Sequence, residues 1–150
     1  MLIREFAPED AVAVSNVIRQ TMRVTNSKDY SMENLSPLIE YFSPKKVLSL
    51  NEERICLVAE IDGQIVGTIA LEDSVLQTFF VAPNFQGKGI GTSLIKAIEA
   101  VALKNKIKTV KFASSITAGS FYEKMGYRKN GFEREATAGK QIEMEKDLTQ

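Results

Sequence analysis

The chain has 150 residues, 44% apolar and 25% charged, which is the composition of a globular domain with its own hydrophobic core. Nineteen lysines and arginines balance nineteen acids, so the zero net charge argues against a nucleic-acid or membrane-surface protein that binds through bulk charge. The absence of histidine excludes Ser-His-Asp and Cys-His triads and most zinc sites, and the single cysteine, Cys56, excludes an intramolecular disulfide.

The same numbers predict the setting and the number of domains. The N-terminal segment MLIREFAPED is too polar for a signal peptide, and no apolar run reaches membrane-spanning length. Together with the absence of disulfides, this predicts a cytoplasmic protein with one domain over residues 1–150 and no membrane partner.

Charge is unevenly divided along the chain. Residues 1–75 carry 7 lysines and arginines against 12 acids, and residues 76–150 carry 12 against 7. A basic second half would suit an anionic ligand and an acidic first half a cationic one. The alternative is scattered surface charge without a ligand.

The first half of the chain predicts a strand, two helices and an antiparallel meander. MLIREF predicts the strand, and the first helix follows from Pro8, with acids in its first turn and apolar residues at helical spacing. MENLSPLIEYF predicts a short second helix that is interrupted or started near Pro37. Asp62 and Gly63 predict the turn between the first two strands of the meander. The meander strands are predicted at 55–61, 65–71 and 74–82.

The second half predicts a helix, a strand, a short helix and a final hairpin. The long helix follows three closely spaced glycines and places Ile90, Leu94, Ile98 and Val101 on one face. Gly126 predicts the end of the short helix. The strand–helix–strand arrangement around the glycines implies a parallel pair, so the order βααβββαβαββ predicts an α/β (α+β) fold with a mixed sheet. The later strands are predicted at 108–114, 132–138 and 141–148, and the short helix at 117–125.

The glycine-rich segment FFVAPNFQGKGIG lies where the long helix begins. Helix N-termini expose unpaired N–H groups with partial positive charge, and therefore bind phosphate. Gly87, Gly89 and Gly91 would allow close approach of a ligand and unusual backbone angles. The segment has neither the GxxxxGK[ST] spacing of nucleotide-binding P-loops nor the GxGxxG fingerprint of dinucleotide-binding domains. It predicts a phosphate-bearing ligand of another kind.

The motif Gln-x-x-Gly-x-Gly after a strand and a proline, together with SITAGSFYEKMGY at 115–127, resembles the GNAT superfamily of N-acetyltransferases. VAEIDGQIVGTIAL at 58–71 is similar to the central hairpin of that family, and the order of elements fits nearly end to end. The resemblance implies the GNAT fold, in which an antiparallel meander leads to a splayed parallel strand pair at the acetyl-CoA site and helices flank the sheet.

The resemblance implies acetyl-CoA as co-substrate and no metal. The backbone of Phe79 and Val81, on either side of Phe80, would pair with the pantetheine arm, and the Phe79 amide would face the thioester carbonyl. Ser115 replaces an asparagine that in the family often contacts pantetheine, and Ser115 or Thr117 could instead cap the next helix. The loop residues implied to hold the pyrophosphate are Gln86, Gly87, Lys88, Gly89, Ile90, Gly91 and Thr92.

The resemblance also implies a general acid, Tyr122, which would protonate the departing CoA thiolate. An unperturbed tyrosine has a pKa of about 10 and is protonated at pH 7, so it can donate a proton. The alternative is a core tyrosine with a satisfied hydroxyl. For the general base the prediction is Glu72, at the end of a strand, with Asp73 beside it. The alternative is that both acids are solvated in a turn.

The acceptor pocket implied by the resemblance is lined by the first two helices and the final hairpin. An arginine there could meet a substrate carboxylate. The function implied is acetylation of the primary amine of a small molecule. A protein lysine or N-terminal acetyltransferase and a non-catalytic acyl-CoA sensor remain alternatives. The sequence leaves the oligomeric state open, with a homodimer as the alternative to a monomer. The implied pocket residues are Arg23, Tyr30, Tyr41 and Phe42.

Overall fold

The computed structural model describes residues 1–115, 118–136 and 139–149. The strands are β1 (Leu2–Glu5), β2 (Ile55–Ile61), β3 (Gln64–Glu72), β4 (Val75–Val81), β5 (Thr109–Ser115), β6 (Arg128–Ala136) and β7 (Gly139–Asp147). The helices are α1 (Ala11–Val24), α2 (Met32–Tyr41), α3 (Pro44–Leu50), α4 (Ile90–Lys104) and α5 (Gly119–Lys124). The strands form one mixed sheet in the order β1-β2-β3-β4-β5-β7-β6.

The predicted meander and splayed parallel pair are both confirmed. Strands β1 to β4 pair antiparallel, and the β2–β3 turn places Asp62 and Gly63 at φ values of +51° and +79°. Among the described residues, β4 and β5 pair through one register position, Val75 with Lys111. Because pairing stops there, the two strands separate towards Val81 and leave a gap in the middle of the sheet.

Helices cover both faces of the sheet. On one face, Val14 and Ile18 of α1 pack with Val47 of α3 and Val58 of the sheet. On the other face, the predicted apolar side of α4 packs onto the sheet, with Leu94 fully buried. The gap between β4 and β5 therefore connects two helical layers. None of the helices in the described ranges has both the length and the apolar character needed to span a membrane.

One helix was not predicted. In α3 the Ser43 hydroxyl accepts a hydrogen bond from the Lys46 amide at 3.2 Å, and Pro44 occupies the first helical position. Both are recognised start signals, but Val47 alone is buried along this helix, so the amphipathic pattern is weak. The second predicted helix is continuous, and Pro37 lies inside it.

A charged cluster ties the N-terminus to the sheet. Arg4 donates to both carboxylate oxygens of Asp10, at 2.8 and 3.1 Å, and to Glu60 at 3.1 Å. The Asp10 carboxylate also accepts from the Ala7 amide at 2.8 Å. Hydrogen bonding to Arg4 holds the pKa of Asp10 below its ordinary value, although burial acts in the opposite direction.

We expect Asp10→Asn to lower the free energy of unfolding by about 3 kcal/mol at pH 7, because it removes one partner of a buried ion pair. Since the folded-state pKa of Asp10 is depressed, its contribution is present above the unfolded value and lost as pH falls below about 4. In urea unfolding, the difference in free energy of unfolding between variant and wild type should be smaller at pH 3 than at pH 7. The control is Glu60→Gln. In this variant Arg4 keeps its ion pair with Asp10, so the free energy of unfolding should fall by about 1 kcal/mol or less. Equal losses in the two variants, or a pH-independent difference, would contradict this account.

Candidate active site

A cavity of about 1190 Å³ runs through the gap between β4 and β5. One end lies at the start of α4, against the glycine loop, and the other lies against α1 and α2. Tyr122 of α5 lines it between those ends. The predicted site residues that line this cavity are Tyr30, Tyr41, Phe42, Phe79, Phe80, Val81, Gln86, Gly87, Gly89, Ile90, Gly91, Thr92, Ser115 and Tyr122.

Three predicted site residues do not line the cavity. Arg23 is exposed in the last turn of α1. Lys88 extends over the ring of Phe85, with its Nζ 5.4 Å from the ring centroid. Glu72 is exposed at the end of β3, where it pairs with Val75. Val75 marks the closed end of the gap, so the strand that ends at Glu72 leads away from the opening rather than towards it.

A β-bulge in β4 shapes the wall of the cavity. Gln77 pairs with Ala70 and Phe80 with Thr68, so two residues of β4 stand opposite one residue of β3. Thr78, inside the bulge, has a φ of +43°, which is strained for a β-branched residue. Its hydroxyl oxygen is buried and has no hydrogen-bond partner among the described residues. The bulge bends β4, which helps to open the gap beside β5.

The backbone beyond the bulge directs amides into the gap. The Ala82 amide donates to the Val66 carbonyl on the β3 side at 2.8 Å. Since successive amides of a strand point to opposite edges, those of Phe79 and Val81 point towards the gap. These are the backbone groups that the sequence predicted to be available.

Each glycine of the loop has a structural reason. Gly87 and Gly89 adopt left-handed φ values of +76° and +81°. A Cβ on Gly91 would lie 3.2 Å from Cζ of Phe79. The side chain of Gln86 braces the loop, because its Nε2 donates to Thr25 Oγ1 at 3.1 Å and to the Val81 carbonyl at 3.0 Å. The loop is therefore tied both to the end of β4 and to the C-terminal end of α1.

Tyr122 lies in an aromatic cluster. Its ring centroid is 4.2 Å from that of Phe112, 5.1 Å from that of Phe121 and 6.2 Å from that of Phe79. Burial raises the pKa of Tyr122 above its ordinary value. The hydroxyl therefore keeps its proton at neutral pH and can act as a donor but not as a base.

The comparison with known families agrees with this geometry. A family model described as an acetyltransferase (GNAT) domain matches residues 26–148. This chain belongs to the GNAT acetyltransferases. YafP, an uncharacterized N-acetyltransferase of Escherichia coli, is 25% identical over 126 residues, which are 84% of this chain and 80% of that protein.

Two solved structures show how widely the fold is shared. A GCN5-related N-acetyltransferase from Rhodopseudomonas palustris matches with a TM-score of 0.90 over 97% of this chain and 94% of that one, at 22% identity. The PaiA N-acetyltransferase from Thermoplasma acidophilum, solved in complex with coenzyme A, matches with a TM-score of 0.83 over 97% and 98%, at 24% identity. The mixed sheet of this chain is thus the GNAT fold.

Ser115, which stands where GNAT enzymes often have asparagine, already has a partner. Its hydroxyl accepts a hydrogen bond from the Ala118 amide at 3.2 Å, so it caps the turn that leads into α5. Thr117, the other candidate cap, lies outside the described residues. Nearby, the Tyr30 hydroxyl donates to the Lys140 carbonyl at 3.3 Å, which links the loop before α2 to β7.

The sequence did not single out several polar residues that line the cavity of this GNAT domain, among them Asp29, Arg54, Gln77 and Glu143. Side chains alternate between the two faces of β7, and Glu143 lies beside the site because β7 pairs directly with β5. Arg54 follows the unpredicted helix α3. Neither has a local sequence signal, because both reach the cavity through long-range packing.

Proposed function

We propose that this protein transfers the acetyl group of acetyl-CoA to the primary amine of a small molecule. The observation that carries the proposal is the continuous cavity from the glycine loop, past Tyr122, to α1 and α2. Its volume of about 1190 Å³ exceeds the roughly 300–1,000 Å³ of a typical single-ligand pocket. It can hold the acyl end of a cofactor and a small acceptor together.

The residues present fit acetyl-CoA. Left-handed glycines at 87 and 89 leave open space beside the backbone amides at the start of α4, where a pyrophosphate would be held. The amides of Phe79 and Val81 face the gap, where they would pair with the pantetheine arm. The coenzyme A complex of the structurally similar PaiA protein supports the same site here. Ser115 contributes less, because its hydroxyl already accepts a hydrogen bond from the Ala118 amide in the turn before α5.

Acetyl-CoA supplies an activated thioester, whose carbonyl carbon is attacked by the amine as the carbon–sulfur bond breaks. The Phe79 amide donates a hydrogen bond towards the carbonyl oxygen as it gains charge, a contribution of about 3–4 kcal/mol in comparable sites. Tyr122 donates its proton to the leaving sulfur. Its aromatic neighbours hold the hydroxyl in position and exclude water.

The amine must lose a proton before attack, which at pH 7 costs about 4–5 kcal/mol for an alkylamine with a pKa of about 10.4. Glu72 does not line the cavity, whereas Asp29 and Glu143 do. Glu143 is half-buried on β7, beside β5, and Asp29 is exposed before α2. We therefore assign Glu143 as the carboxylate that receives the proton through water.

The test of this function is calorimetry with acetyl-CoA, followed by thiol release with a panel of small amines and lysine peptides. We expect binding, and release of one thiol for each N-acetylated small amine. Release with peptides alone would favour a protein acetyltransferase. Binding without release on the whole panel would favour a sensor. Absence of binding would overturn the assignment of the glycine loop.

We expect Gln86→Ala to weaken acetyl-CoA binding about three- to tenfold, because the loop loses two hydrogen bonds of about 1 kcal/mol or less each at an exposed position. The measurement is calorimetry at one temperature and salt concentration. Asn84→Ala is the control, since Asn84 is exposed in the same loop and makes no side-chain hydrogen bond to any described residue. Unchanged affinity in Gln86→Ala would show that the brace does not order the loop.

A further inference from the structure

Arg54 lines the cavity with a positive charge that no carboxylate within the described ranges neutralises directly. Its Nε donates to Asn51 Oδ1 at 2.8 Å and its Nη1 to Gln77 Oε1 at 3.1 Å. Both partners are neutral amide oxygens. In the part of the chain that the structure describes, Arg54 forms no salt bridge. The guanidinium is thus held in a fixed position with donors to spare.

The surroundings of Arg54 penalise an uncompensated charge. Burial lowers the pKa of Arg54, and the nearby Cys56 and Glu72 offset this only in part. A half-buried cation without an ion-pair partner destabilises the free protein, and an incoming anion relieves that penalty. This is the condition under which an arginine selects an anionic ligand.

The position of Arg54 assigns it to the acceptor rather than to coenzyme A. It contacts Gln77, near the closed end of the gap, whereas the glycine loop begins beyond Val81. Three strand residues separate Gln77 from Val81, and because the bulge lies between them the distance is at most about 13 Å. Phe79, whose amide would face the thioester in the proposed reaction, lies between them, two residue steps from Gln77. The Arg54–Gln77 contact and Phe79 are therefore neighbours on β4, so an anion bound at Arg54 and an amine at Phe79 can belong to one small molecule.

A second, independent feature lies at the same place. Thr78, the residue after Gln77, lines the cavity, and its hydroxyl oxygen is buried without a partner in the part of the chain that the structure describes. Buried polar atoms are nearly always hydrogen-bonded in folded proteins. Thr78 follows Gln77 in the bulge, so its hydroxyl would gain a partner if its side chain turned towards an oxyanion bound at Arg54.

We propose that the acceptor is an amino-carboxylate, resembling an amino acid, whose carboxylate binds Arg54 and whose amine faces Phe79 and Glu143. The inference rests on the proposed acetyl transfer and names its substrate class. The cavity carries Asp29 and Glu143 as well as Arg54 and Lys111. This balance of two carboxylates against one guanidinium and one ammonium suits a zwitterion, and it suits a monoanion better than a phosphate dianion.

The first test uses the unaltered protein and matched substrates. Thiol release is measured with the twenty common amino acids and with the corresponding amino-acid amides, which keep the shape and lose the charge. We expect kcat/KM for the preferred acid to exceed that of its amide about 100-fold, as for a lost charge-assisted hydrogen bond. The amine of the amide is the less basic of the two, so easier deprotonation cannot produce this preference.

The second test removes the guanidinium. Arg54→Gln should lower kcat/KM for the acid about 100-fold and leave that for the amide within about twofold. Arg54→Lys should retain part of the preference, since it keeps the charge and loses the planar fork. The control is Arg128→Gln, which removes an exposed arginine outside the cavity lining. Thermal unfolding and acetyl-CoA affinity are measured for each variant, because a folding defect would change both.

A binding readout makes the test independent of turnover. The N-acetyl derivative of each amino acid keeps the carboxylate, and calorimetry in the presence of coenzyme A should detect its binding to wild type and not to Arg54→Gln. Equal turnover of acids and amides would overturn the amino-carboxylate proposal and leave the acetyltransferase standing. So would a preference for polyamines, aminoglycosides or 2-aminoethyl phosphate. If acetyl-CoA itself does not bind, the proposed function fails. Absence of N-acetyl amino acid binding is a separate result, and it overturns the amino-carboxylate inference.

Discussion

Replacing Tyr122 with phenylalanine is expected to lower kcat about 100- to 1,000-fold while acetyl-CoA affinity stays within about twofold. Tyr122 lines the cavity, and the substitution removes only its hydroxyl. The rings of Phe112, Phe121 and Phe79 remain to hold a phenylalanine in the same place. Steady-state thiol release with a substrate amine gives kcat, and calorimetry gives the acetyl-CoA affinity. A variant with normal kcat would remove Tyr122 from the mechanism.

Tyr127→Phe is the matched control. Burial and the hydrogen bond to Glu99 raise the pKa of Tyr127, as burial does for Tyr122, but Tyr127 does not line the cavity. Its hydroxyl donates to Glu99 at 2.8 Å, so its loss should lower the free energy of unfolding by about 1 kcal/mol. We expect kcat to be unchanged. Equal losses of kcat in the two variants would indicate a general packing defect instead of a proton donor.

The pH dependence gives a further readout for Tyr122. A tyrosine with an ordinary pKa of about 10 would lose its proton, and the enzyme its activity, as pH rises towards 10. Burial raises the pKa of Tyr122, so any alkaline loss of kcat due to this group should begin above that pH. A decline centred well below pH 10 would have to come from a different group.

Much of the fold was readable from local signals. The turn between β2 and β3 is predicted by Asp62 and Gly63. Both residues tolerate a left-handed φ, Asp62 because its side chain is short and polar and Gly63 because it has no Cβ. The face of α4 that packs onto the sheet is predicted by the helical spacing of its apolar residues. By contrast, α3 has good start signals around Pro44 and one buried residue, Val47, so periodicity could not identify it. The position of β7 between β5 and β6 depends on pairing over long sequence distances.

The residues of the candidate site also divide into those that a local motif predicts and those that only the assembled fold brings together. Residues in contiguous motifs, such as Gly89 and Tyr122, gather at the cavity because the motif specifies its own local geometry. The choice of Glu72 assumed that its strand leads towards the opening, and this depends on which end of the gap is closed. Arg54 and Glu143 come from different halves of the chain and line the cavity only once the sheet is assembled. No spacing in the sequence could have paired them.

Gly89→Ala is expected to weaken acetyl-CoA binding about 10- to 100-fold. Gly89 has a φ of +81° at the start of α4, and a left-handed conformation destabilises a residue with a Cβ by about 1–2 kcal/mol. No heavy atom lies within 4 Å of the added Cβ, so the effect comes from the backbone and not from a clash. Relief of the strain turns the loop amides away from the pyrophosphate, and each charge-assisted hydrogen bond lost weakens binding by about 1.5–3 kcal/mol.

Gly63→Ala separates this effect from general destabilisation. Gly63 has a φ of +79° in the β2–β3 turn, and its added Cβ also has no heavy atom within 4 Å. The two variants therefore carry the same backbone strain, and urea unfolding should show similar losses of about 1–2 kcal/mol. Calorimetry should show weakened acetyl-CoA binding for Gly89→Ala alone, because Gly63 lies outside the cavity lining. If both variants bind normally, the loop adapts to an alanine and its glycines serve folding. If both lose affinity equally, binding follows overall stability instead of the conformation of this loop.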